Sequence, residues 1–405
     1  MKKGRSVISY ILLSVVLFMS GVMIDASPGD RVREGMQDLV NTEDVDTDDK
    51  AAQDDKQDDT KSDNNVQDVP KRQEALRYYY TLLSDSEKEE YRKIQKAEAN
   101  EQQSVVLSAM DAEELERIFL CVYNDYPEYF WCESDYQYRS DANEVELIFH
   151  YNCTGEERKK KEGIIKKESK AILAGIPKGD KDYDKVKYIF DTLVDMTEYE
   201  LNSSDNQNIY SVFGNWTSVC AGYARATKYL LDRAGVECIY VTGYAGEDHA
   251  WNIVKCEENY YYVDTTWGDP VYQELHEDEV LRKTKGYEYL CASEQLLSRT
   301  HTASADFTLP ECTDTSLEYY RLQGRYLDHA DQKSVVDLMK KDVDANRKQT
   351  EIQFSEDALL KQALGEIDGT LQQMAEYIVS SKEGKADGIL YEYKEFTGVL
   401  IVYWE

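Results

Sequence analysis

Between Cys220 and Gly235, small and apolar residues recur at Ala221, Ala224, Ala226, Leu230 and Leu231, close to the spacing of one helix face. Gly235 then stands where a left-handed residue ends a helix. Beyond it the period changes. Residues 236–244 and 249–256 are rich in Val, Ile and Tyr and flank a turn containing Gly246, which predicts an antiparallel pair of strands. Residues 259–264 predict a third strand that ends on a carboxylate.

The flanks carry their own patterns. Residues 74–83 have helical spacing, and Ser84-Asp-Ser-Glu87 forms a capping box ahead of a second helix reaching Ala99. Asp111-Ala-Glu-Glu114 repeats the device before a helix over 115–123, and 129–132 and 145–151 predict strands. A lysine-rich amphipathic helix over 154–174 is expected to lie against acidic neighbours until Pro177 breaks it. Asp182 is expected to cap the next helix, 183–197, whose Val186, Ile189, Phe190 and Leu193 share a face. Downstream, 287–291 predicts a strand, 331–347 and 355–381 predict helices with a strand over 349–354 between them, and 388–393 with 399–404 predicts a hairpin around Thr397-Gly398.

Charge narrows the setting. The 405 residues hold 79 acidic against 47 basic side chains, a net charge of −32. Such a surface repels phosphate backbones and anionic headgroups, so no nucleic-acid partner is expected. Eleven acidic residues and three lysines, with no aromatic ring, fall within 41–68, so 27–70 is read as a disordered acidic linker. Before it, Lys2, Lys3 and Arg5 precede the uncharged apolar run 7–24, the pattern of a secretory signal or an uncleaved N-terminal anchor. The remainder is therefore expected to be secreted or held at the extracellular face of the cell envelope, touching membrane only through that segment if it is uncleaved. None of the eight cysteines forms a C-x-x-C pair, which argues against a zinc ribbon or a thioredoxin-type motif. No metal or cofactor is expected. With Cys220 kept free, seven thiols remain, so at least one more is unpaired within the chain.

Cys220 falls at a helix N-terminus, where unpaired N–H groups and the positive end of the dipole favour thiolate and can serve a developing oxyanion. His249 opens the second strand beside a loop, and Asp264 closes the third, where it can fix an imidazole tautomer and stabilise its charge. In order, spacing and flanking residues, Cys220-Ala-Gly-Tyr223, His249-Ala-Trp-Asn252 and Asp264-Thr-Thr-Trp-Gly-Asp-Pro270 resemble the signature blocks of the transglutaminase-like superfamily, the papain-like cysteine fold. The resemblance covers roughly 180–310, with flanks similar to those of exported bacterial members. It implies an α+β fold with a nucleophile helix packed on an antiparallel sheet, Cys220 as nucleophile, His249 as acid/base and Asp264 as orienting group. Papain-like sites also use an upstream side-chain donor. Gln207, in the polar loop 202–216, is the oxyanion candidate, and Trp216 is a candidate wall of the substrate cleft. His301 is a candidate second site histidine. His150, His276 and His329 are read as structural.

The expected organisation is a signal peptide or anchor over 1–26, the linker over 27–70, a helical/α+β subdomain over 71–155, the catalytic domain over 156–314 and a small α+β unit over 315–405. The expected function is an exported cysteine acyl-transfer enzyme whose substrate is a protein or peptide amide. Water as acceptor makes it a peptidase or amidase, and a lysine amine makes it a transglutaminase. The alternative is a non-catalytic surface module that binds cell-wall polymer or a protein partner.

Overall fold

The structure, a computed structural model, describes residues 2–4, 77–270, 284–382 and 388–404. The apolar run 7–24, the linker 27–70, the start of the helix expected over 74–83, His276 and the rest of 271–283 lie outside the described residues. Among the described residues no helix is long and apolar enough to cross a membrane.

The first layer contains α1 (Asp85–Ala99), β1 (Ser104–Ser108), α2 (Ala112–Asp125), β2 (Cys132–Ser140) and β3 (Glu144–Tyr151). Both expected caps form. Ser84 and Glu87 exchange side-chain and backbone bonds at the start of α1, and Asp111 accepts from the Glu114 N–H at 2.9 Å before α2. Strand β3 pairs antiparallel with β1 on one side and β2 on the other, and residues 2–4 run along the far edge of β2. The strand expected over 129–132 is absent; the chain turns there and β2 begins at Cys132. Its aromatics pack instead of pairing, with the Tyr126 and Tyr129 rings stacked at 4.8 Å and Phe130 and Trp131 buried. Aromatic content marks a half-buried surface as readily as a strand.

Helix α3 (Gly155–Ala174) meets acidic groups on neighbouring segments, Arg158 to Glu101 at 3.2 Å and Lys161 to Asp205 at 3.1 Å. Helix α4 (Asp182–Met196) starts at Asp182 itself. Asp182 does not cap it but bonds to Lys185 at 2.9 Å, and the cap position belongs to Lys181. Two-residue segments Glu198–Tyr199 and Thr217–Ser218 then pair in parallel and close the base of the loop between them, which contains a π-helical turn at Ser211–Asn215.

The central sheet follows α5 (Cys220–Ala234). Its strands are β4 (Cys238–Tyr244), β5 (Asp248–Cys256), β6 (Asn259–Val263), β7 (Leu290–Ala292) and β8 (Thr302–Ala303), in the spatial order β7-β6-β5-β4-β8, all antiparallel. Gly235 and Gly246 adopt the left-handed φ that their turns require, +80° and +84°. Strand alternation sends Cys238, Val254 and Cys256 to a core shared with α4 and α5, and Ile239, Val241, Trp251 and Ile253 to a core shared with Leu115, Ile118 and Phe119 of α2. The sheet is thus the middle layer, and the N-terminal helices cover one of its faces. Helix α5 is buried on every side from Ala221 to Leu231. Its polar residues are accommodated singly: Lys228 Nζ bonds the Cys238 carbonyl at 2.7 Å and Asp232 at 3.1 Å, and Arg225 bonds the Tyr123 carbonyl at 3.0 Å.

The C-terminal region has a core of its own. It comprises β9 (Tyr326–Leu327), α6 (Gln332–Asp344), β10 (Gln349–Phe354), α7 (Asp357–Gly365), α8 (Ile367–Lys382), β11 (Ile389–Lys394) and β12 (Val399–Trp404), with strand order β9-β10-β12-β11. The single helix expected over 355–381 is two helices, broken just after Gly365, a residue with little helix propensity. The expected hairpin forms, with Gly398 at φ +71°.

One close approach positions the far edge of the central sheet. Gly243 of β4 pairs with Ala303 of β8, and a Cβ there would come within 2.6 Å of the Trp251 ring as well as against the Thr302 carbonyl. Backbone cannot yield as a flexible side chain does. Gly243→Ala is therefore expected to destabilise the fold by about 1–3 kcal/mol in urea denaturation, and an unchanged midpoint would contradict this tight seam.

Candidate active site

Cys220 is the first residue of α5, and its N-cap, Val219, makes no side-chain cap bond, so no side chain occupies the first-turn amides from that position. The loop upstream is laced to this turn. Ser218 Oγ bonds Ser211 Oγ at 2.6 Å and the Asn206 carbonyl at 3.1 Å. Gly222 makes the approach possible, since a Cβ there would lie 2.9 Å from the Asn206 carbonyl and 3.0 Å from Ser211 Oγ. The glycine of the Cys-Ala-Gly block therefore has a steric reason.

His249, near the start of β5, is 3% exposed, and its Nε2 lies 2.7 Å from Asp264 Oδ2. The imidazole is also coupled electrostatically to Cys220. With Nε2 taken by the carboxylate, Nδ1 is the nitrogen left for the sulfur. Asp264, just after β6, is 1% exposed, and its Oδ1 accepts the Thr266 and Trp267 N–H groups at 2.9 and 3.2 Å. Burial works against an imidazolium, but the charges of Asp264 and Cys220, with the hydrogen bond to Asp264, outweigh it and push His249 up to about 10. Burial likewise works against the carboxylate. The His249 charge and the hydrogen bonds from His249 and His301 win, holding Asp264 well below the usual carboxylate range. The three side chains make a buried imidazolium–carboxylate pair beside a half-buried thiol.

The neighbouring residues tie this unit to the helix. Tyr223 O–H bonds the Thr197 carbonyl at 2.8 Å and also meets Asp269, so the end of the Asp264 block is fastened to α5. Gln207 is exposed on the loop whose Asn206 carbonyl also accepts the Val219 N–H at 3.5 Å, one residue before Cys220. Trp216 sits half-buried at a left-handed φ of +61° and packs against the core of α4 and α5. His301 is buried with its Nε2 3.0 Å from the same Asp264 Oδ2. His150 and His329 instead pair with Asp135 and Asp328, each at 2.8 Å.

Sequence reasoning gave Thr266 and Trp267 no role beyond motif membership. Their amides serve the carboxylate through an Asx-type turn, which an Asp at a strand end followed by Thr-Thr signals. For His301, no sequence feature distinguished a carboxylate partner from a core histidine.

Residues 170–265 match the family model described as the transglutaminase-like superfamily. That segment is a transglutaminase-like core. The chain is similar to the kyphoscoliosis peptidases of Mus musculus and Homo sapiens, each 29% identical over an alignment of 105 residues that covers 22% of this chain. The match spans only 16% of the length of those relatives. A crystal structure of a TGase aligns with 45% of this chain and 54% of its own at 12% identity and a TM-score of 0.26, a likeness too low to carry the assignment.

The raised His249 gives the transglutaminase-like core a pH signature. A buried imidazole lifted from 6.5 to about 10 stabilises the fold fully below 6.5 and loses that contribution as pH rises through about 10. The unfolding free-energy difference between wild type and His249→Gln is therefore expected to shrink between about pH 6.5 and about pH 10. Denaturant titrations at both ends measure it, and a pH-independent difference would contradict the imidazolium–carboxylate pairing.

Proposed function

We propose that this chain is an exported thiol acyl-transfer enzyme acting on amide bonds of a protein or peptide, with Cys220 as nucleophile, His249 as acid/base and Asp264 as its orienting group. The observation that carries the reading is the buried His249 imidazole paired with Asp264 and electrostatically coupled to Cys220, the first residue of α5. The Cys220 thiolate attacks the carbonyl carbon and forms a C–S bond. Charge moves to the carbonyl oxygen, where first-turn amides of α5 and the Gln207 side chain stabilise it. His249 gives its proton to the departing nitrogen as the C–N bond breaks, leaving a thioester and a neutral imidazole. That imidazole then takes a proton from the acceptor, which attacks the thioester and releases the thiolate. Water as acceptor completes hydrolysis, and a lysine amine completes a cross-link. We read hydrolysis as the primary outcome because water needs no second binding site. Trp216 supplies one wall of the cleft. Export rests on the basic residues and apolar run at the N-terminus of the sequence.

Iodoacetamide at neutral pH, followed by peptide mapping, tests the nucleophile. Cys220 is expected to be alkylated ahead of the other seven thiols, and His249→Ala to remove that preference. In parallel, glutamine-containing peptides should release ammonia, and His249→Ala should lower the turnover by on the order of 1000-fold or more. Uniform labelling of the thiols would leave the acyl-transfer reading without support.

The oxyanion assignment has its own consequence. Gln207→Ala is expected to lower kcat by roughly 100- to 1000-fold with little change in KM, since the donor acts on charge present only in the transition state. A rise in KM at constant kcat would assign Gln207 to ground-state binding instead.

A further inference from the structure

Asp264 Oδ2 is shared by two imidazoles, and the reaction uses one of them. Nε2 of His249 lies 2.7 Å away and Nε2 of His301 3.0 Å away, with the ring centroids 5.5 Å apart and the planes at 57°. Two N–H groups thus converge on one oxygen from different directions. We propose that His301 is a positioning residue for the thiol chemistry: its Nε2–H holds the Asp264 carboxylate in line with His249. The proposal rests on the Cys220, His249 and Asp264 reading given above.

Three features support a positioning role over simple core filling. The first is tautomer control. Thr300 Oγ1 lies 2.7 Å from His301 Nδ1 and also meets the Tyr289 hydroxyl. With Tyr289 O–H donating to Thr300, and the Thr300 O–H donating to Nδ1 at 2.7 Å in preference to the Leu297 carbonyl at 3.4 Å, each proton is used once and the His301 proton is left on Nε2, facing the carboxylate. The second is ring confinement. Trp251, Trp267 and Tyr289 surround the His301 ring with centroids 5.1, 5.1 and 4.9 Å away, so it cannot turn to another partner. The third is backbone register. His301 N–H donates to the Leu297 carbonyl at 2.9 Å, and the next residues form β8, where Ala303 pairs with Gly243, itself opposite His249. Three strands in register therefore deliver both imidazoles to one carboxylate.

The division of labour is chemical. His249 must gain and lose a proton in each cycle, and each change alters its pull on Asp264. A carboxylate held by His249 and two amides at Oδ1 could rotate when that pull weakens. His301, outside the proton-transfer path, keeps Oδ2 in place throughout the cycle.

The full-length protein carrying His301→Phe, His301→Gln or Thr300→Val tests this, with the alkylation rate of Cys220 by iodoacetamide as the readout. His301→Phe is expected to slow alkylation roughly 10- to 100-fold, the factor of one lost hydrogen bond to a charged group. His301→Gln, which returns an N–H donor, is expected to restore most of it at an unchanged unfolding temperature. Thr300→Val keeps the ring but frees its tautomer and should slow alkylation in the same direction, which provides the test if His301→Phe does not fold. Proton NMR should show two downfield imidazole N–H resonances in the wild type and one fewer in His301→Gln. An unchanged Cys220 rate in folded His301→Phe or Thr300→Val would overturn the positioning role alone. So would equal slowing in His301→Gln and His301→Phe, which is the behaviour of a packing residue. The ligand atoms of His249, Asp264 and His301 lie within 4.8 Å of one another. Stoichiometric metal in the purified protein would therefore also overturn the proposal, because a metal ion would replace the two shared protons. If wild-type Cys220 reacts no faster than the other thiols, the acyl-transfer reading fails first and this inference falls with it.

Discussion

A carboxylate buried to 1% exposure is among the most costly groups a fold can enclose, and Asp264 remains ionised because four N–H groups converge on it. Two of them belong to its own turn and need only the Thr266–Trp267 backbone. The other two come from β5 and from the residue before β8, which are 15 and 37 positions away in the chain. Satisfying Asp264 therefore fixes where three separate segments must end. A shift of a single ångström in any of them would leave a buried charge short of a donor. The outermost pairing of the sheet, across Gly243, is tight for the same reason: β8 must come close enough to bring His301 inward.

Helix α5 obeys a second constraint. A thiol held against a fixed imidazole needs a helix that does not move, and α5 is enclosed by the sheet, by α4, by the loop ending at Ser218 and by residues of the N-terminal layer. Arg225 shows how far the enclosure reaches. Its guanidinium lies over the Tyr123 ring at 3.8 Å and the Tyr240 ring at 4.5 Å, joining α2, α5 and β4 in one stack. The N-terminal helices thus form the outer wall of the central sheet, because Ile239, Val241, Trp251 and Ile253 would otherwise face water.

Much of this was legible in the chain. The change from a helical to an alternating period around Gly235 marks α5, β4 and β5, and the three polar blocks mark Cys220, His249 and Asp264 as partners. Such features are local: caps, turn glycines and strand alternation depend on residues within a few positions of one another. What escaped was non-local. The aromatics at 129–132 carry strand propensity but were recruited to a core from several elements, and the short β1 lacks a turn signal. The break after Gly365 was hidden by apolar residues that continue a helical period on both sides. His301 was named as a candidate second site histidine, but its partner was not legible, since that partner is a carboxylate 37 residues earlier.

The cysteines show how environment, more than residue type, assigns chemistry. All eight are free thiols in this structure, and seven are buried. Burial pushes Cys153 up to about 11 and Cys312 up to about 12, and raises Cys121, Cys132, Cys238 and Cys291 further, so these sulfurs remain protonated and inert at neutral pH. Cys220 differs in being partly exposed, at a helix N-terminus and beside an imidazole whose positive charge a carboxylate sustains. Each of those differences is imposed from outside the residue, and the last is set by Asp264. A sulfur in the core of this protein would gain reactivity only with all three. On the proposed acyl-transfer reading, that requirement directs the chemistry of a chain with many thiols to a single one.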